Sequence, residues 1–337
     1  MLKHLKELCL LPGISGDEGG VRKYIQNHLP ADCSALTDAL GNLIVEKKGQ
    51  KPANFRVLLD AHMDEVGMIV SSIREDGFLS FHPVGGISSS ALLSRRVLVG
   101  GRVPGVIGTV PVHLLSKEER KAPPKTDSLV IDIGAADRAE AESVVCVGDS
   151  VTFEANFTLL GEGAVCSKAL DDRIGCAILL NLLQKPAEYG FTAVFSVQEE
   201  VGARGAAVAA YRVAPDFAFC LEATTAADLH GVPAENQVCR LSGGPAVSFM
   251  DLSTLYDREL YRAALQSGIP CQPKSAVAGG NNSRSLQKAG NGVRTLALSV
   301  PCRYIHSSCC VADLNDIDNT LRLAEYLLTH VQEGDFR

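Results

Sequence analysis

The sequence contains no Trp, and Phe, Tyr and Trp together make up only 5% of its 337 residues. Packing therefore rests on Val, Leu, Ile and Ala, and the Trp platforms common in sugar clefts are missing. An excess of basic charge is also missing. Lys and Arg number 32 against 39 Asp and Glu, a net charge of −7, which lacks the field that unspecific nucleic-acid binding requires. No apolar run approaches the roughly 20 residues needed to cross a bilayer. The first residues, MLKHLKELCLL, are too short and too charged for a signal peptide. No CxxC pair exists, which argues against a structural zinc knuckle.

Eleven cysteines are present, an odd number in a chain far too long for a disulfide-stapled scaffold. Cys176 and Cys220 sit inside apolar runs, where a thiol packs as a small hydrophobe, and a reducing cytoplasm is the expected setting. With 46% hydrophobic and 21% charged residues, the chain has a globular composition, and its length predicts about two domains.

Leu2, Leu5, Leu8 and Cys9 fall on one helical face, and Ser15 to Glu18 reads as a capping box before a second helix. A strand over Asn42 to Glu46 and the apolar run from Phe55 to Ala61 follow. Short β-type runs then recur between Gly67 and Glu162, separated by Gly, Pro and charged turns, which predicts a small barrel or sandwich. Beyond Gly163, apolar strands alternate with amphipathic helices again. The expected fold is α/β, a mainly parallel sheet sandwiched by helices. Residues 1–66 and 163–337 form the main domain, and 67–162 an inserted β domain.

Five places put metal-ligating residue types where α/β enzymes keep their sites, at the C-terminal ends of strands. These are His62 with Asp64, Glu199 with Glu200, Glu222, the loop holding His306, and Asp171-Asp172 opening a helix. Each alone has an ordinary reading: a loop histidine, solvated glutamates, or an N-cap. Together they demand a reason for so many acidic and imidazole groups at the ends of buried strands. Unpaired buried carboxylates cost several kcal/mol each, and a pair of divalent cations would neutralise the cluster.

In order along the chain, DAHMDEVG, KALDDRIG, QEEVGARG, LEAT and VPCRYIHS resemble the two-metal aminopeptidases of metallopeptidase family forty-two. That family includes glutamyl, deblocking and tetrahedral aminopeptidases, and some of its members have carried a cellulase label. The resemblance covers essentially the whole chain and implies a zinc-peptidase-like catalytic domain. It implies that Asp171 bridges two divalent ions, zinc foremost and cobalt as the alternative, and is joined to Asp172 by a cis peptide. His62 and Glu222 complete one metal site; Glu200 and His306 complete the other. Asp64 is expected to accept the second imidazole proton of His62, and Glu199 to act as general base toward a water bridging the metals. The resemblance further implies short peptide substrates and a homo-oligomer built from dimers, up to a dodecamer, with the β insertion making the dimer contacts. No nucleic acid and no membrane enters this reading.

Two departures from the family pattern stand out. Glu222 replaces the usual Asp, and Asn281-Asn282-Ser283 stands where the family has Thr-Asp-Ala, which removes a carboxylate at Asn282. His113 is a candidate substrate or subunit contact, with a surface histidine as the equal alternative. Arg303 and Arg173 are candidates for a substrate carboxylate or for pairing with the site's own acids. Cys302, Cys309 and Cys310 flank His306, but the carboxylates already suffice as hard ligands. The leading function is a metal-dependent aminopeptidase. The alternatives are a glycoside hydrolase of endoglucanase type and a catalytically weak regulatory oligomer.

Overall fold

The computed structural model describes residues 1–334 and Phe336. Its centre is four parallel strands, in the order Phe191–Ser196, Val57–His62, Phe217–Thr225 and Arg294–Arg303. Every residue of Val57–His62 is buried, as the unbroken apolar run requires. The expected mainly parallel sheet is parallel only at this centre. Leu43–Lys47 and Cys33–Thr37 extend one side, and Cys310–Asp313, Ala164–Ser167 and Phe157–Leu160 the other, all antiparallel. The reason is connection length. Residues 304–309 are too few to carry the chain over to a parallel return, whereas helices join the central strands.

Helices Leu170–Gln184 and Leu314–Glu333 pack on each other and on the central strands, and Arg204–Val213 packs against Ser283–Leu286. Among the described residues, no helix is long and apolar enough to cross a membrane. All eleven cysteines are unpaired. The first helix, Leu2–Leu10, buries Leu5, Leu8 and Cys9, while Leu2 stays 41% exposed. The capping box expected at Ser15 to Glu18 does not form. Glu18 has no cap bond to the helix Gly19–Asn27 and instead accepts the backbone N–H groups of Gly16 and Gln198. Ser15 donates to Asp64 at 2.6 Å. These side chains are committed to the turns around the site, where backbone donors and a buried carboxylate compete for them.

A closed six-stranded barrel interrupts the α/β domain, with strands Gly67–Ile73, Leu79–Val84, Val130–Asp132, Val103–Gly108, Arg96–Val99 and Ser150–Phe153. Its core, including Met68, Phe81, Ile107 and Phe153, is separate from the core of the large sheet. The last strand expected in the insertion, Phe157–Leu160, pairs with Ala164–Ser167 in the large sheet, because Phe157 packs on that core. The barrel therefore ends at Phe153, earlier than the expected boundary at 162.

Candidate metal centre

The parallel strands run side by side, so the residues at and beyond their C-terminal ends converge. His62 is the last residue of its strand, and Glu199 and Glu200 follow Phe191–Ser196 by a turn in which Gln198 takes a positive φ of 57°. That turn aims the two glutamates differently. The third strand continues to Thr225, so Glu222 lies within it rather than at its end. His306, φ 58°, sits in the loop between Arg303 and Cys310. Asp171 opens the long helix through a cis peptide bond to Asp172.

The five side chains form two sets that share Asp171. His62 Nε2 lies 3.3 Å from Asp171 Oδ1 and 3.6 Å from Glu222 Oε2. His306 Nε2 lies 3.3 Å from Asp171 Oδ2 and 3.4 Å from Glu200 Oε1. The opposite nitrogens are already engaged. His62 Nδ1 faces the carbonyl of Asp64 at 2.9 Å, and His306 Nδ1 faces the carbonyl of Gly86 at 2.9 Å. A carbonyl only accepts, so each Nδ1 carries the proton and each Nε2 can turn a lone pair toward the carboxylates.

That arrangement is repulsive unless something positive lies between. Burial opposes the charged form of His306, yet the carboxylates of Asp171 and Glu200 push its pKa up to about 10. Burial and the neighbouring Asp171 push Glu200 up to about 8. Glu222 is raised well above the ordinary range, chiefly by burial. Asp171 Oδ1, Glu200 Oε1 and Glu222 Oε1 are buried without a hydrogen-bond partner. A tetrahedral cation with bonds of about 2.0–2.2 Å holds its ligand atoms about 3.3–3.6 Å apart. The imidazole–carboxylate distances fall in that range, and the donor set suits a borderline divalent ion, so the residues fit the implied group.

Asp64 departs from its expected contact. Its backbone carbonyl makes the close approach to His62 Nδ1, while its carboxylate stands 3.4 Å away. The carboxylate accepts the backbone N–H groups of Glu199 and Glu200 at 3.0 and 3.1 Å and so holds their turn in place. Asn282 lies beneath the site, where its Nδ2 donates to Asp60 Oδ2 at 2.6 Å and Ser196 Oγ at 2.8 Å. Cys220, expected as a packing thiol, also joins Asp60 and Glu222 in a buried group.

The arginine candidates serve the structure. Arg303 grips Asp228 through two hydrogen bonds of 2.8 and 2.7 Å. Arg173 is fully buried, donating to the carbonyls of Leu8 and Gly13 and to Glu65. His113 is exposed on the barrel, and Cys302, Cys309 and Cys310 join none of the metal-type clusters among the described residues.

Sequence reasoning missed Gly86, whose carbonyl comes from the insertion, and Ser15, which lies far away along the chain. It also missed Lys274 and Arg284, both of which line a cavity of about 430 Å³ that opens over His62, Asp171 and Glu199. The Gly85-Gly86 pair was the available signal. A Cβ at Gly85 would stand 2.8 Å from Val66 and 3.2 Å from Glu200 Cβ, so the loop passes too close for a side chain.

Fold and relatives together define a metal-dependent hydrolase of the aminopeptidase class. The sequence profile of the M42 glutamyl aminopeptidases matches residues 41–323, and the chain belongs to that family. It is 32% identical to a lysyl aminopeptidase of Pyrococcus furiosus, over 98% of each chain. Its structure is similar to that of Pyrococcus horikoshii TET1 peptidase, described as assembling into a tetrahedron or a large octahedral shell. The TM-score there is 0.85 at 34% identity, covering 97% of this chain and 98% of that one. It is also similar to a Thermotoga maritima structure described as an endoglucanase, with TM-score 0.78, 34% identity and 96% of each chain covered.

Proposed function

We propose that the chain is a two-metal aminopeptidase that releases the N-terminal residue of short peptides. The observation that carries this reading is the pair of imidazoles whose Nε2 atoms face opposite oxygens of one carboxylate, Asp171, each with its own glutamate. His62, Glu222 and Asp171 would hold one divalent ion, and Asp171, Glu200 and His306 the second, zinc foremost with cobalt as the alternative. When bound, such ions polarise the scissile carbonyl and make water more acidic.

The chain's own residues supply the rest. Glu199 lines the same cavity but stands outside the two ligand sets, and its carboxyl is raised above the ordinary range chiefly by burial. As a carboxylate beside the two ligand sets but in neither, Glu199 takes a proton from the attacking water and delivers it to the leaving amine. Asp64 keeps Glu199 and Glu200 in register through their N–H groups. Lys274, 6% exposed, lines the cavity and, among the described residues, donates only to the carbonyl of Ala278, at 3.2 Å. A buried cation without a carboxylate contact favours an acidic N-terminal side chain and disfavours a basic one.

A glycosidase needs two facing carboxyl groups, which leaves both imidazoles without a task. The eleven unpaired thiols fit a reducing cytoplasm. Exposed Val110, Val112 and Leu114 (49%, 66% and 68%) surround His113 on the barrel and support a subunit interface there. The direct test is release of N-terminal residues from a peptide panel, with and without chelator, by wild type and Glu199→Gln. The expected result is chelator-sensitive release, lowered by about 10²–10⁴-fold in the variant while about two metal ions per chain are retained. Metal-free protein without activity would support the regulatory reading, and chelator-insensitive glucan cleavage the glycosidase reading.

A further inference from the structure

Beyond the cavity over the metal centre lies a second groove, of about 530 Å³, lined by Gly202, Tyr211, Arg284, Ser285 and Lys288 among others. Arg284 lines both, so the groove begins at the wall of the first cavity. It lies on the side of Glu199. The Gln198 to Ala203 turn carries Glu199 and leads into Gly202, and Arg284 Nη2 comes within 4.0 Å of where a Cβ on Gly202 would stand.

The cations in this groove, Arg284 and Lys288, make no hydrogen bond or ion pair with any described side chain, whereas seven other arginines hold a carboxylate. The charge of Arg284 is felt at Glu199. Tyr211 presents an aromatic ring that is 84% exposed on the same wall. A guanidinium, an ammonium and an open ring along one groove form a surface suited to a peptide chain ending in an anion.

Which part of the substrate reaches there follows from proton transfer. The group that gives its proton to the leaving amine must stand within hydrogen-bond reach of it, so the leaving peptide lies on the Glu199 side. On the two-metal aminopeptidase reading, we propose that the Arg284–Lys288 groove is the subsite for the leaving fragment, and that it recognises the free C-terminal carboxylate of short peptides. The N-terminal residue occupies the Lys274 end of the first cavity, and the released fragment occupies the second.

The test compares Glu-Ala-Ala with its C-terminal amide, and Leu-Ala-Ala with its amide, using wild type, Arg284→Gln and Lys288→Gln. Wild type should cleave each free acid with kcat/KM about tenfold above the amide, mainly through KM, and the preference should shrink at high salt. Arg284→Gln should erase most of the difference, read as the ratio of acid to amide so that any effect through Glu199 common to both cancels, and exposed Lys288→Gln should reduce it about threefold without touching the fold. Equal cleavage of acid and amide by wild type would overturn the subsite. So would an Arg284→Gln variant whose acid-to-amide ratio equals that of wild type, since Arg284 would then act on Glu199 or on the fold alone. Absence of release from every peptide would instead count against the aminopeptidase reading itself.

Discussion

Asn282 shows how one amide sets the charge beneath a metal centre. Its Nδ2 bridges Asp60 and Ser196, and all three residues are fully buried. Asn282→Asp would bring a second carboxylate to the 2.6 Å contact with Asp60 in a site without solvent. The expected loss is about 3 kcal/mol of stability at pH 8, read by urea denaturation, whereas Asn282→Ser should lose less because it adds no charge. An unchanged midpoint in Asn282→Asp would mean that the pocket admits water. Residues of this kind were half legible. The position of Asn282 marked it as a departure near the site, but its contact with Asp60 spans 222 positions and leaves no local pattern. The same holds for the Gly86 carbonyl behind His306, 220 positions away. The ligating side chains themselves were legible because strand ends announce where polar groups must gather.

Among elements, the central strands follow directly from their apolar runs, while their flanks do not. Whether a flanking strand runs parallel or antiparallel depends on its connection, and Phe157–Leu160 pairs antiparallel with Ala164–Ser167 in the large sheet, with Phe157 packed on its core. Elements around the site are fastened by a buried ionic cluster. Glu65 binds Lys168 at 2.7 Å and Arg173 at 3.4 Å, and these cations also hold the carbonyls of Leu8, Leu11 and Gly13. The cluster therefore ties the first helix, the turn after His62 and the start of the Leu170 helix together. Glu65→Gln leaves two cations, 1% and 0% exposed, facing a neutral amide, and should cost about 3–5 kcal/mol in denaturant titration. Adding Lys168→Met should recover part of that loss. A double variant no more stable than the single one would show that the hydrogen bonds to the carbonyls, rather than the charges, hold these elements.

At the level of the whole molecule, two separately cored units share one chain. The barrel carries Val110, Val112 and Leu114 outward, a concentration of aliphatic surface that a lone globule rarely leaves in water. Val112→Asp combined with Leu114→Asp should lower the mass measured by light scattering toward a smaller species, with the secondary structure retained. An unchanged mass would move the proposed subunit contact off this loop.

The hydrogen bond from His306 to the Gly86 carbonyl joins these units at one atom of the proposed metal site. Affinity for that ion then depends on where the barrel sits, since a displaced barrel releases the imidazole from its productive tautomer and orientation. Thermodynamic reciprocity makes the dependence run both ways: whatever factor the barrel's placement contributes to ion binding, the ion returns to the barrel's placement. Ion occupancy and barrel placement are in this sense linked equilibria that share one coupling free energy.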